Sequence, residues 1–391
     1  QAILDMQLRR LAALERKKLQ DEYKEKVKLI KYLEDLLAHP KKMRIVIAEE
    51  LTQIKHDYDD PRRTIIAGGM ASSMSAEDFL MPEENTWVTL TVKGALARSY
   101  DDNPPQVTTK EKEPPRFIVE SSTAHTLYIF TDQGECATIP VQQISQMNTP
   151  SEGLHFSDQC SLDSDQEIVS VLSLPYNLEA GYLFFATEQA QVKRLRLEDL
   201  PGASSKPFTV MKVGDDDRLG WVMLTTGADE IILATAQAQT IRFSEDDVRP
   251  TGLPAGGMRG IKLLGQKDRV VGAVIAIPNQ YVWSITDDGV AKISIIDEYP
   301  SQGRAGSGVI NMRLSPDSKE VAAMAIGRQD DTVIVLTNKN KPKYMRIGLG
   351  MKLKRGRAGG DFVISLREKE RVTSVVNYQP KIIMVEAPTE E

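Results

Sequence analysis

Cations recur in this chain just after the turns of a repeated hairpin. Arg98, Arg194, Arg196, Arg242, Lys292 and Arg346 each lie in the strand that follows such a turn. Arg259, Lys262, Arg304, Arg313, Lys341, Lys343, Lys354, Arg355 and Arg357 accompany the same repeats. Guanidinium and ammonium groups strung out in this way make and break no bonds. They suit a polyanion whose phosphates repeat at short intervals whatever the base, so their chemistry is electrostatic positioning. Two glycine-bearing loops extend the pattern, Gln302-Gly303-Arg304-Ala305-Gly306-Ser307-Gly308 and Lys354-Arg355-Gly356-Arg357-Ala358-Gly359-Gly360. Without a Cβ in the way, their main-chain N–H groups can approach phosphate oxygens closely. Lys339, Lys341, Lys343, Arg346, Lys352, Lys354, Arg355 and Arg357 crowd one stretch that contains no acid, and are expected to face none.

Constellations for covalent chemistry are missing from the sequence. His39, His56, His125 and His155 are scattered, and His155 with Cys160 is two ligands short of a zinc site. The glycine-rich stretch from Gly252 to Gly260 lacks the Gly-Lys-Ser/Thr ending of a phosphate-binding loop. Asp215-Asp216-Asp217 reads as a polar turn, and Trp87, Trp221 and Trp283 read as core rather than base-stacking platforms. The only cysteines, Cys136 and Cys160, read as reduced thiols. No metal or cofactor is expected in this chain. No run of 18 apolar residues and no signal pattern occur, so a membrane partner is not expected. The chain opens at Gln1 in mid-pattern and reads as a piece of something longer.

The elements that hold the cations are written six times: VTLTVKGALAR, YIFTDQGECAT, FFATEQAQVKR, ILATAQAQTIR, WSITDDGVAKI and IVLTNKNKPKYMR. Their threonines are Thr91, Thr131, Thr187, Thr235, Thr286 and Thr337. A repeat of this length signals blades or stacked units, each a hairpin that buries its apolar face only against a neighbour. Three residues after each threonine stands Gly94, Gly134, Ala190, Ala238, Gly289 or Asn340. Glycine and asparagine accept positive φ in a tight hairpin. Ala190 and Ala238 do not accept it readily, which predicts a different loop geometry in those two hairpins. The runs before the threonines, such as Ile231-Ile232-Leu233, are apolar without alternation and read as strands buried on both faces.

Charge is distributed unevenly. Residues 81–250 carry 13 lysines and arginines against 26 acids, whereas residues 251–391 carry 21 against 15. That asymmetry predicts a polyanion-facing side and a side that repels it. Upstream of the repeats, residues 1–57 are helical by pattern. Leu29, Leu33, Leu36 and Leu37 share one face, Pro40 stops the helix after His39, and Met43, Ile47, Leu51 and Ile54 line a second amphipathic segment.

Three stretches also carry a family resemblance: QAILDMQLRRLAALERKKLQDEYKEKVKLI, DDPRRTII and FSEDDVRPTGLPAGGMRGIKL. They resemble the A subunits of the bacterial type IIA topoisomerases, DNA gyrase and topoisomerase IV, over nearly the whole chain. The resemblance implies a mainly β fold, a six-bladed β-pinwheel at 84–385, preceded by a linker at 61–83. Residues 1–60 would be the end of a coiled-coil arm and exit-gate helices. It further implies double-stranded DNA as ligand, wrapped or bent around the blades and positioned for strand passage by an upstream core. The protein partners would be a topoisomerase B-type subunit plus, through the upstream core, a second A subunit. The location would be cytoplasmic, at the nucleoid. The parent enzyme would hydrolyse ATP and use Mg²⁺ on the partner subunit, with its cutting tyrosine upstream of Gln1. One departure stands out. The family's first-blade wrapping element is a glutamine–arginine–arginine–glycine–glycine–basic–glycine stretch, but Ser99-Tyr100-Asp101-Asp102-Asn103-Pro104-Pro105 occupies that interval here. The nearest likeness is in the fifth repeat, Gln302 to Gly308, and Lys354 to Gly360 in the last repeat is another basic glycine loop. The acidic early repeats therefore predict contact over part of the rim and shallow bending. A propeller-like scaffold that binds protein is the alternative, since the fold hosts both uses.

Overall fold

In a computed structural model of the chain, the described residues are 2–58, 83–105, 112–176, 180–315, 318–339, 342–352, 354–356 and 360–379. Residues 1–66 and 67–391 form two separate compact units.

The first unit is two helices, α1 (Ala2–Ala38) and α2 (Pro40–Tyr58). Pro40 opens α2, where its missing N–H is one that a first helical turn leaves unpaired in any case. His39 interrupts the two, its N–H donating to the Asp35 carbonyl at 3.1 Å. Leu29, Leu33, Leu37, Ile47, Leu51 and Ile54 are all exposed. The linker at 61–83 lies, apart from Glu83, outside the described residues, as does the stretch 380–385 at the end of the expected pinwheel.

The second unit is a six-bladed β-propeller of the pinwheel kind, as the repeats predict. In chain order its segments are β1 (Asn85–Thr91), β2 (Ala95–Arg98) and β3 (Pro115–Ser122); β4 (His125–Thr131), β5 (Glu135–Pro140), β6 (Leu154–His155) and β7 (Ile168–Pro175); β8 (Tyr182–Thr187), β9 (Gln191–Arg196), β10 (Phe208–Thr209) and β11 (Leu219–Thr225). Then come β12 (Glu230–Thr235), β13 (Gln239–Ser244), β14 (Met258–Arg259) and β15 (Val270–Ile275); β16 (Tyr281–Thr286), β17 (Val290–Ile295), β18 (Val309–Ile310) and β19 (Val321–Gly327); and β20 (Thr332–Thr337), β21 (Lys343–Arg346), β22 (Met351–Lys352), β23 (Asp361–Phe362) and β24 (Val372–Gln379). From the second segment on, the chain makes its own blade's second and third strands, crosses back to lay the outermost strand on the preceding blade, and returns as its own inner strand. Thus β6 pairs β2, β10 pairs β5, β14 pairs β9, β18 pairs β13, and β22 and β23 pair β17.

The inner strands β3, β7, β11, β15, β19 and β24 each lie against the next. Parallel pairing of Tyr378 with Ile118 and Gln379 with Val119 joins the last blade to the first, so the circle is closed. The core sits in the seams between blades. Leu127 and Ile129 of β4 pack toward blade one while Tyr128 and Phe130 pack toward blade three. Both faces of each second strand are therefore buried, which is why its residues do not alternate. Trp87 and Trp283 are buried in these seams and Trp221 packs against one of them, as the sequence suggests.

The threonine of each repeat has a physical task. In the first five repeats its Oγ1 accepts the N–H four residues on, at 3.0–3.3 Å, and its carbonyl accepts the N–H three residues on, at 2.9–3.1 Å. The residue at the third position takes positive φ: Gly94 87°, Gly134 77°, Ala190 62°, Ala238 60° and Gly289 91°. The two alanines thus adopt the same turn as the glycines, contrary to expectation. Their methyls are buried, and the hydrogen bonds to Thr187 and Thr235 hold a backbone that costs an L-residue roughly 1–2 kcal/mol.

Candidate nucleic-acid interface

The third strands β5, β9 and β17 are buried along most of their length, and this sorts the predicted cations. Six residues after the threonine, Lys193 and Lys292 are each 1% exposed. The Lys193 ammonium donates to the Val210 carbonyl at 2.6 Å and the Gly252 carbonyl at 2.9 Å. Lys292 donates to the Asn311 carbonyl at 2.5 Å and the Lys354 carbonyl at 3.4 Å. Burial pushes both ammonium groups down to about 8.

One residue further on, an arginine reaches from its blade to the turn that ends the next blade's third strand. Arg98 donates from Nε to the Ile144 carbonyl at 2.8 Å. Arg194, 4% exposed, donates to the Gly227 carbonyl at 3.3 Å and to Asp246 Oδ1 at 3.1 Å. Arg242 donates to Glu230 and to the Tyr299 carbonyl at 3.3 Å. Arg98, Arg194, Arg242 and Lys292 are therefore brackets between blades and not rim ligands. Each of them gives at least one hydrogen bond to a main-chain carbonyl that would otherwise go unpaired.

The basic loops are partly inward too. Arg304, half-buried, donates from Nε to the Asp247 carbonyl at 2.9 Å and from Nη1 to the Arg259 carbonyl at 3.1 Å. Arg355 donates from Nε to the Glu298 carbonyl at 2.6 Å, and its N–H reaches Glu298 Oε2 at 3.3 Å. Each guanidinium thus clasps the last carbonyl of a 3-10 turn in the preceding blade, Glu245–Asp247 and Ile296–Glu298. Ala305 N–H to Gly260 (2.6 Å) and Gly356 N–H to Asn311 (2.7 Å) fix the two loops in equivalent places. The main-chain contact of Arg355 brings the Glu298 carboxylate to it, and Lys343 and Lys339 act on the Glu370 carboxyl, so the expectation that the 339–357 cations face no acid does not hold. Lys343, half-buried, donates to the Ser365 carbonyl, and Lys339 to the Glu368 carbonyl at 3.4 Å. Gln302, Gly306 and Gly308 are half-buried and Gly303 is exposed. Lys341 and Arg357 lie outside the described residues.

What remains outward is ordered. Arg196, Arg259, Lys262, Arg313, Arg346 and Lys354 are exposed, Arg196 with Glu198 at 3.3 Å. The residue three beyond each outermost strand forms a row: Asp158 on blade one, Lys212 on blade two, Lys262 on blade three, Arg313 on blade four and Ser365 on blade five, all exposed. Main-chain bonds hold parts of the row under the next glycine loop, Lys212 N–H to the Ala255 carbonyl at 3.3 Å and Lys262 N–H to the Gly306 carbonyl at 2.8 Å. Sequence reasoning missed Lys212. Its signal is the apolar–basic–apolar motif shared by Met211-Lys212-Val213, Ile261-Lys262-Leu263 and Met312-Arg313-Leu314. The row is cationic on three consecutive blades and acidic on the first. There the interval after Arg98 folds into a short acidic turn, Asp101 accepting from Asn103, with the Trp87 Nε1–H donating to the Asp102 carbonyl at 3.1 Å.

At one end of the inner strands, a second ordered set stitches the blades. Arg116, Glu167, Arg218, Arg269, Glu320 and Arg371 recur every 51 residues. Glu167 accepts from Arg116 at 2.9 Å and from Arg218 at 3.1 Å, and Arg371 lies 3.5 Å from Asp287. Burial raises the Glu188 carboxyl, an effect that Arg269 and Arg218 oppose.

Residues 125–175, 181–225, 229–276 and 280–326 match the family described as DNA gyrase C-terminal domain, beta-propeller, and these intervals coincide with the second to fifth segments. The chain is 32% identical over 348 residues to the DNA gyrase A subunit of Dehalogenimonas lykanthroporepellens, covering 86% of this chain and 42% of that protein. It is 31% identical over 351 residues to the DNA gyrase A subunit of Staphylococcus epidermidis, covering 86% and 39%. The chain thus spans less than half the length of these relatives. Among solved structures, the C-terminal domain of DNA topoisomerase IV aligns with a TM-score of 0.66 at 25% identity, covering 75% of this chain and 93% of that one. The DNA gyrase A C-terminal domain aligns with a TM-score of 0.61 at 19% identity, covering 75% and 100%, which speaks to the fold alone. Among the described residues no helix is long and apolar enough to cross a membrane, and no group of three or more His, Cys, Asp or Glu is placed to hold a metal ion.

Proposed function

Because the chain belongs to the type IIA topoisomerase A subunits, of which it is the C-terminal part, we propose that its propeller binds duplex DNA on its outer rim and bends it. The bent segment is delivered to an upstream cleavage core, a dimer of A subunits joined by B-type subunits, whose ATP and Mg²⁺ drive strand passage. The observation that carries this reading is the row Lys212, Lys262 and Arg313, each three residues past the outermost strand of three consecutive blades, joined by the exposed Arg259 and Lys354.

The mechanism is electrostatic. Curving 20–30 bp by 40–90° costs about 1–6 kcal/mol. Release of condensed counterions by a handful of phosphate contacts offsets that cost, with log K falling by about 0.9 per contact for each unit of log salt. Asp158 and the Asp101–Asp102 turn repel the duplex at blade one. The path therefore covers an arc from blade two to blade five, and the bend is shallow compared with a full turn. Gel retardation of a long duplex by the whole chain tests this. Affinity should be measurable at low salt and fall steeply as salt is added. Absence of binding at low salt, or binding indifferent to salt, would instead favour a protein-docking scaffold.

A further inference from the structure

Phe362 is the most exposed large apolar side chain among the described residues, at 75%, and Ile310 one blade earlier is 45% exposed. They occupy one register position on successive blades. Ile310 lies opposite Gln239 and Phe362 opposite Val290, each partner being the fourth residue after its repeat threonine. On blades one, two and three that position holds His155, Thr209 and Arg259. Folding does not account for an apolar residue there. The seam of blade five is filled by Trp283, Ile285, Ile293, Val333 and their neighbours, and Phe362 is not among them.

The basic residues lie beside Ile310, where the Arg355 N–H also meets the Glu298 carboxylate. The Gly356 N–H to Asn311 bond lays Lys354 and Arg355 beside the residue that follows Ile310. Lys292 ties the same two stretches together from beneath through the Asn311 and Lys354 carbonyls. Arg313 and Lys354 are exposed, and the one carboxylate adjoining in sequence is Asp361. The cation row ends at Arg313, since blade five has Ser365 in its place. Beyond blade four the curvature of a bound duplex has lost its row of charges and has met an exposed aromatic ring.

We propose that Phe362, seconded by Ile310, is a wedge that enters between stacked base pairs and kinks the duplex where the row of cations runs out. This rests on the duplex-binding reading above. Apolar wedges unstack a step at a cost of a few kcal/mol and kink the helix by about 20–90°. Pyrimidine–purine steps are the cheapest to open. The wedge thus adds a preference for flexible steps to a surface whose charges read no sequence.

The test uses the whole chain and a duplex with 2-aminopurine at a single thymine–adenine step and fluorophores at both ends. At saturating protein, the wild type should raise 2-aminopurine emission and bring the ends together. Phe362→Ala should abolish the rise and open the bend by about 20° or more, while the salt slope stays as in wild type. Phe362→Leu should retain both signals. Lys212→Glu should weaken binding and flatten the salt slope, yet keep the emission rise at saturation. The wedge is overturned if wild-type protein binds with a steep salt slope but leaves 2-aminopurine stacked, or if Phe362→Ala bends the duplex as wild type does. No binding by wild-type protein at low salt overturns the duplex reading itself, and the wedge with it.

Discussion

Arg269 and Glu320 meet across the seam between blades four and five as a two-point pair, Nη1 to Oε2 at 2.8 Å and Nη2 to Oε1 at 2.9 Å. They are 51 residues apart, one repeat. Both side chains are about one-third exposed, so solvent screens the attraction, but the paired geometry retains part of it. Glu320→Gln is expected to lower unfolding stability by about 1 kcal/mol, and a double-mutant cycle with Arg269→Gln to return a coupling of about 0.5–1 kcal/mol. Urea titration measures both. A coupling of zero would mean that the belt of charges is decoration.

The repeat turn makes a sharper prediction. A Cβ on Gly134 would stand 2.1 Å from the Met211 carbonyl oxygen, at φ +77°. That oxygen is main chain and cannot swing away. Gly134→Ala is expected to destabilise by about 2–4 kcal/mol through strain and clash together. Ala190→Gly is expected to change stability by less than about 1 kcal/mol, because relief of left-handed strain offsets the lost buried methyl. Thermal melts of the two variants separate the cases.

The fold was legible because its determinants are local and periodic. Thr131 or Thr235 fixes a turn by bonds to residues three and four ahead, and the doubly buried strand before it shows as an unbroken apolar run. The alanine turns were misread because propensity forbids Ala190 a positive φ that burial and two hydrogen bonds impose. The site was less legible, since exposure depends on where in its strand a cation sits and on what the next blade lays over it. Arg194 and Arg196 are two residues apart, yet one spans a seam and the other meets water. Nothing local distinguishes Arg355 on a loop that points outward from Arg355 clasping Glu298. Lys212 escaped because its period is carried by the return strand and not by the hairpin that announces the repeat.

Buried Lys292 predicts a pH dependence with a definite sign. Its ammonium is held down to about 8, below the 10.5 of an unfolded lysine. Between those values the unfolded chain binds the proton that the folded chain has released, so this group's contribution to stability rises with pH. Below pH 8 both states are charged and the penalty of burying charge is constant. Cys136, whose buried thiol is pushed well up, acts in the opposite direction above about pH 9. The comparison must therefore be made by difference. Relative to Lys292→Met, the wild type should gain about 1–2 kcal/mol between pH 8 and 10, because Cys136 cancels in that subtraction. A flat difference would show that the ammonium is not buried in solution.

The division of cations into brackets and rim ligands gives the last prediction. Lys212→Ala, Lys262→Ala and Arg313→Ala each remove an exposed charge that makes no structural hydrogen bond through its side chain in the described residues. Each should leave thermal stability within about 0.5 kcal/mol of wild type, weaken duplex binding alike on all sequences, and reduce the salt slope by about 0.9. Arg194→Ala should do the reverse. Removing a 4% exposed guanidinium leaves the Gly227 carbonyl without its donor and the buried Glu245 carboxylate without the counter-charge 4.0 Å away, at a cost of about 3–5 kcal/mol. The Arg194→Ala protein that remains folded should bind with an unchanged salt slope, because a cation already inside the seam releases no counterion from DNA. Were its slope to fall as steeply as that of Lys212→Ala, Arg194 would have to reach the duplex, and the assignment of seam and rim would be wrong.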